Sequence, residues 1–259
     1  RTPADAVEPA GATMSALNEF TTFVTTSENY WGDRGILIRT WDHLRLSGFA
    51  LLVSSLLSLP PAVYLGHIKR GGVSAVWIVN MGRAIPSFAL IVLIFPISLR
   101  YGFGLGFWPT AFALVLLGIP PIFTNAFTGV RDVDAGTVEA ARGMGMQGRE
   151  VLWGVEIPAA LPLIITGLRV SAVQVVATAT LGAYVGFGGL GAFIVEGFAI
   201  QDDGKLLTGA ILVALVVFVV ELVFGWLQRR LTPWVRADLL AKRDVMVDAT
   251  ALDVEPATA

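Results

Sequence analysis

The stretch EAARGMGMQGREVLWGVEIP, residues 139–158, decides the fold. It is the one long mid-chain segment too polar to sit in lipid, and apolar runs crowd it on both sides. It opens on Glu139, Ala140 and Ala141, passes Gly145, presents an apolar patch of Val151, Leu152 and Trp153, and closes on Pro158. A segment of this kind reads as a polar elbow held outside a membrane domain, built to touch another molecule.

Composition supports a membrane protein. Of 259 residues, 55% are hydrophobic and 15% charged, against about 25% charged in soluble domains. The mean hydropathy is +0.71. A net charge of −2 gives no reason to expect nucleic acid as a partner. With no Cys, and with His43 and His67 as the two His, disulfides, thiolate chemistry and Cys-based metal sites are excluded and a multi-His metal site is disfavoured. Residues 1–27 lack the basic-then-apolar layout of a signal peptide, and Met14 is a candidate start.

Working outward, apolar runs long enough for a ~30 Å hydrocarbon core lie at about 44–66, 73–99, 106–128, 159–183 and 206–227. Five transmembrane helices are predicted, with residues 1–43 and 231–259 outside them. The 73–99 run is long, and Pro86 and Pro96 predict a kink or a broken helix there; whether it makes one pass or two decides which side the elbow faces. Leu17, Phe20, Phe23 and Val24 have helical spacing, as in a short helix lying at the membrane surface, with an irregular tail as the alternative. With five passes, Lys69, Arg70, Arg131, Arg142, Arg149, Arg229, Arg230, Arg236, Lys242 and Arg243 share the elbow's side. The positive-inside rule then makes the elbow cytoplasmic, the N-terminus external and the C-terminal tail internal.

The elbow itself predicts two short helices. Asp134 or Thr137 caps the first, which Gly143 and Gly145 stop; the second covers about 147–153, and Pro158 begins the next span. The spacing Glu-Ala-Ala, three residues, Gly145, nine residues, Val155-Glu156-Ile157-Pro158 resembles the EAA motif of ABC importer permeases. Residues 161–198 (LPLIITGLRVSAVQVVATATLGAYVGFGGLGAFIVEGF), 43–47 (HLRLS) and 83–91 (RAIPSFALI) resemble the osmoprotectant, or quaternary-amine, branch of those permeases. The resemblance implies an all-α, type I ABC importer permease (MetI-like) fold in the cytoplasmic membrane and no enzymatic activity in this chain. It implies a second permease chain, two ATPase subunits holding ATP and Mg, and a substrate-binding protein on the outer face. Glu139, Ala140, Ala141, Gly145, Val151, Leu152, Trp153 and Pro158 would then couple to the ATPase. The solute would be glycine betaine, choline, carnitine or a relative, with methionine or another small solute as the alternative.

Other patterns narrow the chemistry. No G-x-x-x-x-G-K-[ST] occurs, so ATP is not held here by a P-loop. Gly186-Phe187-Gly188-Gly189-Leu190-Gly191 fits G-x-G-x-x-G, but it comes after an apolar span rather than a strand, which rules out the dinucleotide reading. Gly186, Gly188, Gly189 and Gly191 then serve either close helix packing or an outer gate that meets the binding protein. Charges within spans are costly and are usually paired; Arg169 and Glu221 match in depth and are expected to pair. Arg83, Ser87, Asn125, Gln174, Thr178, Thr180 and Tyr184 are candidates to line a solute path, with helix-to-helix hydrogen bonding as the competing role for each. An ion-coupled secondary transporter would need internal repeats, and none is seen.

Overall fold

The computed structural model describes residues 18–32 and 34–234; the expectations for Met14, Leu17, Arg236, Lys242, Arg243 and most of 231–259 lie outside them. The described residues contain helices and no strand. A short helix α1 (18–25) precedes α2 (Ile36–Ile68), α3 (Gly72–Met81), α4 (Ser87–Arg100) and α5 (Phe107–Arg131). The elbow comes next as α6 (Ala135–Gly143) and α7 (Gly148–Val151), then α8 (Ile157–Thr178), α9 (Gly191–Ile200) and α10 (Asp203–Leu231).

Three helices make the centre. On α2, Leu46, Ala50, Ser54, Ser58, Ala62 and Gly66 recur every fourth residue and are all buried. This narrow row of mostly small side chains lets α5 approach closely, the usual way helices associate where water supplies no hydrophobic drive. A Cβ on Gly118 of α5 would stand 2.5 Å from Ser54 Oγ, and one on Gly66 would stand 2.8 Å from Val130 Cβ. The Ser54 hydroxyl lies 2.7 Å from the Ala50 carbonyl of its own helix and 2.9 Å from that of Val115 on α5. From the other side, Ser171 of α8 donates to the Gly118 carbonyl at 3.0 Å, and a Cβ on Gly167 would stand 2.8 Å from Asn125 Cβ. Serines and glycines thus knit α2, α5 and α8, with Gly118 where all three meet.

The pairing also fixes the chain's course. Ser54 faces Gly118 and Gly66 faces Val130, so α2 and α5 run parallel and the intervening segment must travel back between them. That segment is broken: residues 74–84 and Ser87–Arg100 meet at 86°. The break falls at Pro86 and not at Pro96, which lies inside α4. Ile85, placed before Pro86, is extended at φ −80°, ψ 123°, the conformation a proline imposes on the residue before it. Among the described residues four helices are long and apolar enough to cross a membrane, and the bent pair, taken as one span, makes five.

Two boundaries differ from the sequence expectation. The first span starts at Ile36, eight residues earlier than its apolar run, because Arg39 and His43 are buried within the protein rather than left at an interface. Pro158 takes the first turn of α8, as expected, but no break precedes it: the chain is helical without interruption from Gly148 to Val185. Leu152–Glu156 form a π turn in which the Ile157 N–H bonds to Leu152 O. Proline is tolerated at 158 because this change of register falls where its missing N–H would have been needed.

Candidate coupling elbow and transport face

The elbow is built by local chemistry. The Asp134 carboxylate accepts from Thr137 N at 2.8 Å and from Thr137 Oγ1 at 2.9 Å, capping α6. Those bonds, the backbone one first, hold the Asp134 carboxyl below its ordinary pKa. Gly145, at φ +91°, turns the chain through the left-handed region after α6, which glycine enters without steric cost. Gln147 and Glu150 then form a capping box at the start of α7, with Gln147 N donating to Glu150 Oε2 at 2.7 Å. The two helices close on a small core of Val138, Ala141 and Val151, with Val133, Met146 and Val155 against it.

This core corrects the expected contact patch. Val151 is 0% exposed and holds the elbow together instead of facing outward; Ala141 is buried with it. Glu139 and Ala140 are exposed and Leu152 is partly buried. Trp153 is 63% exposed and Met144 is 78% exposed, so these two carry the large apolar surface of the elbow. Met144 has no distinguishing sequence signal; only the turn at Gly145 exposes it.

At the root of the elbow the structure holds a pair that the sequence reading missed. His67, one residue from the end of α2, contacts Glu156 through Nδ1 and Oε2. Glu156 is fully buried, and its Oε1 has no hydrogen-bond partner among the described residues. The available signal was an acid set between Val155 and Ile157 in an otherwise apolar run. Higher in the bundle, Arg169 of α8 and Glu221 of α10 form an ion pair. Gln228 adds a second polar tie between those helices, donating to Thr166 Oγ1 at 3.2 Å.

The path candidates separate into two groups. Asn125 donates to the Pro121 carbonyl of its own helix at 2.8 Å and packs where Gly167 of α8 comes in, so it serves the seam. Thr180 likewise bonds back to the Ala177 carbonyl. Gln174 and Thr178 share a face of α8 and are partly buried. Tyr184 is exposed and meets Phe88 edge-on, ring centroids 5.3 Å apart, next to Ser87 and the break. Arg83 is exposed in the short 3-10 turn Gly82–Ala84 on the other side of that break.

The glycine run divides in the same way. Gly186 and Gly188 take φ +84° and +81°, and a Cβ on either would meet nothing within 4 Å. Gly189, at φ +57°, lies against the Phe187 ring. Gly191 is not part of the loop: it opens α9, and a Cβ there would collide with the Thr180 carbonyl oxygen, so close packing demands it. Beside this loop, at the end of the bundle away from the elbow, Glu196 is held by Arg39 at 2.8 Å and by Lys205 at 2.7 Å. The cluster lines an open cleft of about 520 Å³ with Phe23, Trp31 and Phe193. Among the described residues no group of three or more His, Asp or Glu is placed to hold a metal.

The described residues thus form an all-helical bundle of long apolar helices with a two-helix elbow at one end. Residues 43–237 match the family of binding-protein-dependent transport system inner membrane components, and the chain belongs to that family. It is 37% identical over 198 residues to the carnitine transport permease protein OpuCB of Listeria monocytogenes, covering 76% of this chain and 88% of that one. It is 30% identical over 217 residues to the glycine betaine/carnitine/choline transport system permease protein OpuCB of Bacillus subtilis, covering 84% of this chain and 95% of the relative. Among solved structures, the methionine ABC transporter MetNI in an inward-facing conformation matches with a TM-score of 0.68 at 22% identity, over 76% of this chain and 96% of that one. The match shares the fold. The chain is thus the permease component of a type I ABC importer.

Proposed function

We propose that this permease imports a quaternary-amine osmoprotectant, in the class of glycine betaine, choline and carnitine, delivered by an external binding protein. The observation that carries the reading is the identity with carnitine and betaine permeases over most of both chains. Two permease chains, identical or paralogous, would form one path, and two ATPase subunits would drive it by alternating access. Trp153, Met144 and the exposed Glu139–Ala140 turn form the docking face for the ATPase, with Gly145 and Val151 setting its shape. The N-terminus lies outside and the C-terminus inside, since the elbow's side holds Lys69, Arg70, Arg142, Arg149, Arg229 and Arg230. The solute would pass the break at Pro86, beside Arg83, Ser87, Gln174, Thr178 and Tyr184. The Tyr184–Phe88 pair offers aromatic faces to a passing quaternary ammonium, a weak attraction of about 0.5–1 kcal/mol at an exposed site that permits release. The Gly186–Gly189 loop would meet the binding protein.

The test is co-purification with the ATPase and binding protein, followed by substrate-stimulated ATP hydrolysis in liposomes across betaines, choline, carnitine and methionine. Stimulation by a quaternary amine is expected. Stimulation by methionine alone would overturn the substrate class, and uptake that survives ATP depletion but stops when the ion gradient collapses would overturn the coupling.

A further inference from the structure

We propose that His67 and Glu156 are positioning residues that tie the elbow to the end of α2, so that elbow motion reaches the broken α3–α4 segment as well as α8. The proposal rests on the elbow being the ATPase contact. Three observations carry it. First, Glu156 is an acid whose side chain is 1% exposed, with His67 as its contact. A buried carboxylate is costly unless partnered, and the pair cannot slide apart without leaving that carboxylate alone in apolar surroundings. Apolar helix faces impose no such penalty on sliding.

Second, the π turn at Leu152–Glu156 ends on this acid. Such a turn inserts one residue into the helix and rotates the turns beyond it, and π turns recur at functional positions. Here it sits between the elbow and α8. His67 also lies near the start of the elbow's second helix, since a Cβ placed on Gly148 would be 3.5 Å from His67 Nε2. One imidazole therefore contacts the root of α8 and sits beside the start of α7.

Third, the end of α2 is stiffly connected onward. Gly66 is wedged against Val130 and the Phe127 carbonyl of α5. Lys69 and Gly71 both take left-handed conformations, at φ 53° and 70°, in a tight turn that leads directly into α3. A displacement of His67 is passed to α3 and so to the break at Pro86, where Arg83 and Ser87 lie. α8 alone offers no comparable polar tie to α3 or α4 among the described residues.

The chain has no Cys, so spin labels can be placed at Lys69 and Arg149, both exposed, with no native thiol to remove. The measurement uses the full complex with its ATPase and binding protein in liposomes, nucleotide-free and with ATP trapped by vanadate. In the native chain the label-to-label distance should differ between the two states by less than about 2 Å, the scale of packed helix shifts. Glu156→Leu and His67→Leu should let that distance change with state and should lower uptake per ATP hydrolysed by about tenfold, whereas Glu156→Gln, which keeps a hydrogen-bonding group of the same shape, should retain most of it. A native chain whose distance changes between states overturns the proposal without any variant, as does an unchanged uptake-to-hydrolysis ratio in both leucine variants. If the native complex loses its ATPase only when residues far from the elbow are altered, the docking assignment fails instead.

Discussion

Adding one methyl group at Gly118 tests how the three central helices are held. In an isolated helix, Gly→Ala would stabilise by about 1 kcal/mol. At this site the new Cβ would lie 2.5 Å from Ser54 Oγ and 3.0 Å from Ser171 Oγ, inside van der Waals contact on two sides. Overpacking of this kind costs about 1–3 kcal/mol. Moving Ser54 and Ser171 also strains the interhelical bonds to the Val115 and Gly118 carbonyls, at about 0.6 kcal/mol for each. The costs exceed the helical gain, leaving a net loss of about 2 kcal/mol. For a chain of this size that corresponds to a fall in Tm of about 4–8 °C, readable by fluorescence-detected size-exclusion chromatography after heating in detergent. Ser54→Ala in the same chain removes the closest atom and should restore more than half of the loss. Gly143→Ala, where a Cβ meets nothing within 4 Å, serves as the control and should be neutral or slightly stabilising. A Gly118→Ala chain as stable as the native one, or a loss that Ser54→Ala leaves untouched, would refute the reasoning.

Trp153→Ala should weaken co-purification of the ATPase and lower stimulated hydrolysis with Tm unchanged, whereas Val151→Ala, which empties part of the elbow core, should cost about 1–2 kcal/mol of local stability and lower both. Arg169→Ala and Glu221→Ala should each destabilise the chain, with the double variant less destabilised than the sum of the two; strict additivity in the Tm series would remove the pair's contribution. The Asp134 cap has a sign set by its depressed folded pKa: its stabilisation is present above the unfolded carboxylate pKa and is lost as pH falls through the lower folded value. Hydrogen-exchange protection at the Thr137 amide, corrected for intrinsic rate, should therefore decline in that acid window in the native chain and be weak and pH-independent in Asp134→Ala.

Much of the elbow was legible because its determinants are local. An Asp three residues before a Thr and a Gly that must turn left-handed act within a few residues of themselves; the Gln147–Glu150 capping box is just as local, though it was not read from the sequence. Burial was not legible in the same way: Val151 and Trp153 are near neighbours of similar apolar character, and only the packing of α7 onto α6 sends one inward and the other out. The spans were readable as apolar runs, but their ends were not. Arg39 and His43 look like interface residues, yet Arg39 is held by Glu196 and His43 Nε2 donates to the Val176 carbonyl at 2.9 Å, partners 157 and 133 residues away. Nor could the sequence choose between Pro86 and Pro96 as the bend, since Phe95 before Pro96 stays helical under the packing of α4 on α5 while Ile85, beside a glycine-containing turn, yields.

The uninterrupted helix from Gly148 to Val185 has a mechanical consequence. Its 38 residues make a strut about 57 Å long, with Trp153 near one end and Tyr184 and the glycine loop at the other. A stiff strut that pivots near its middle swings its two ends in opposite senses. Tilting it by about 10° would carry each end roughly 5 Å. A single see-saw of this kind, pinned where Ser171 meets Gly118, would draw the elbow end inward as it moves the loop end outward. Opening on one face and closing on the other would then result from one rotation, with no separate signal between them.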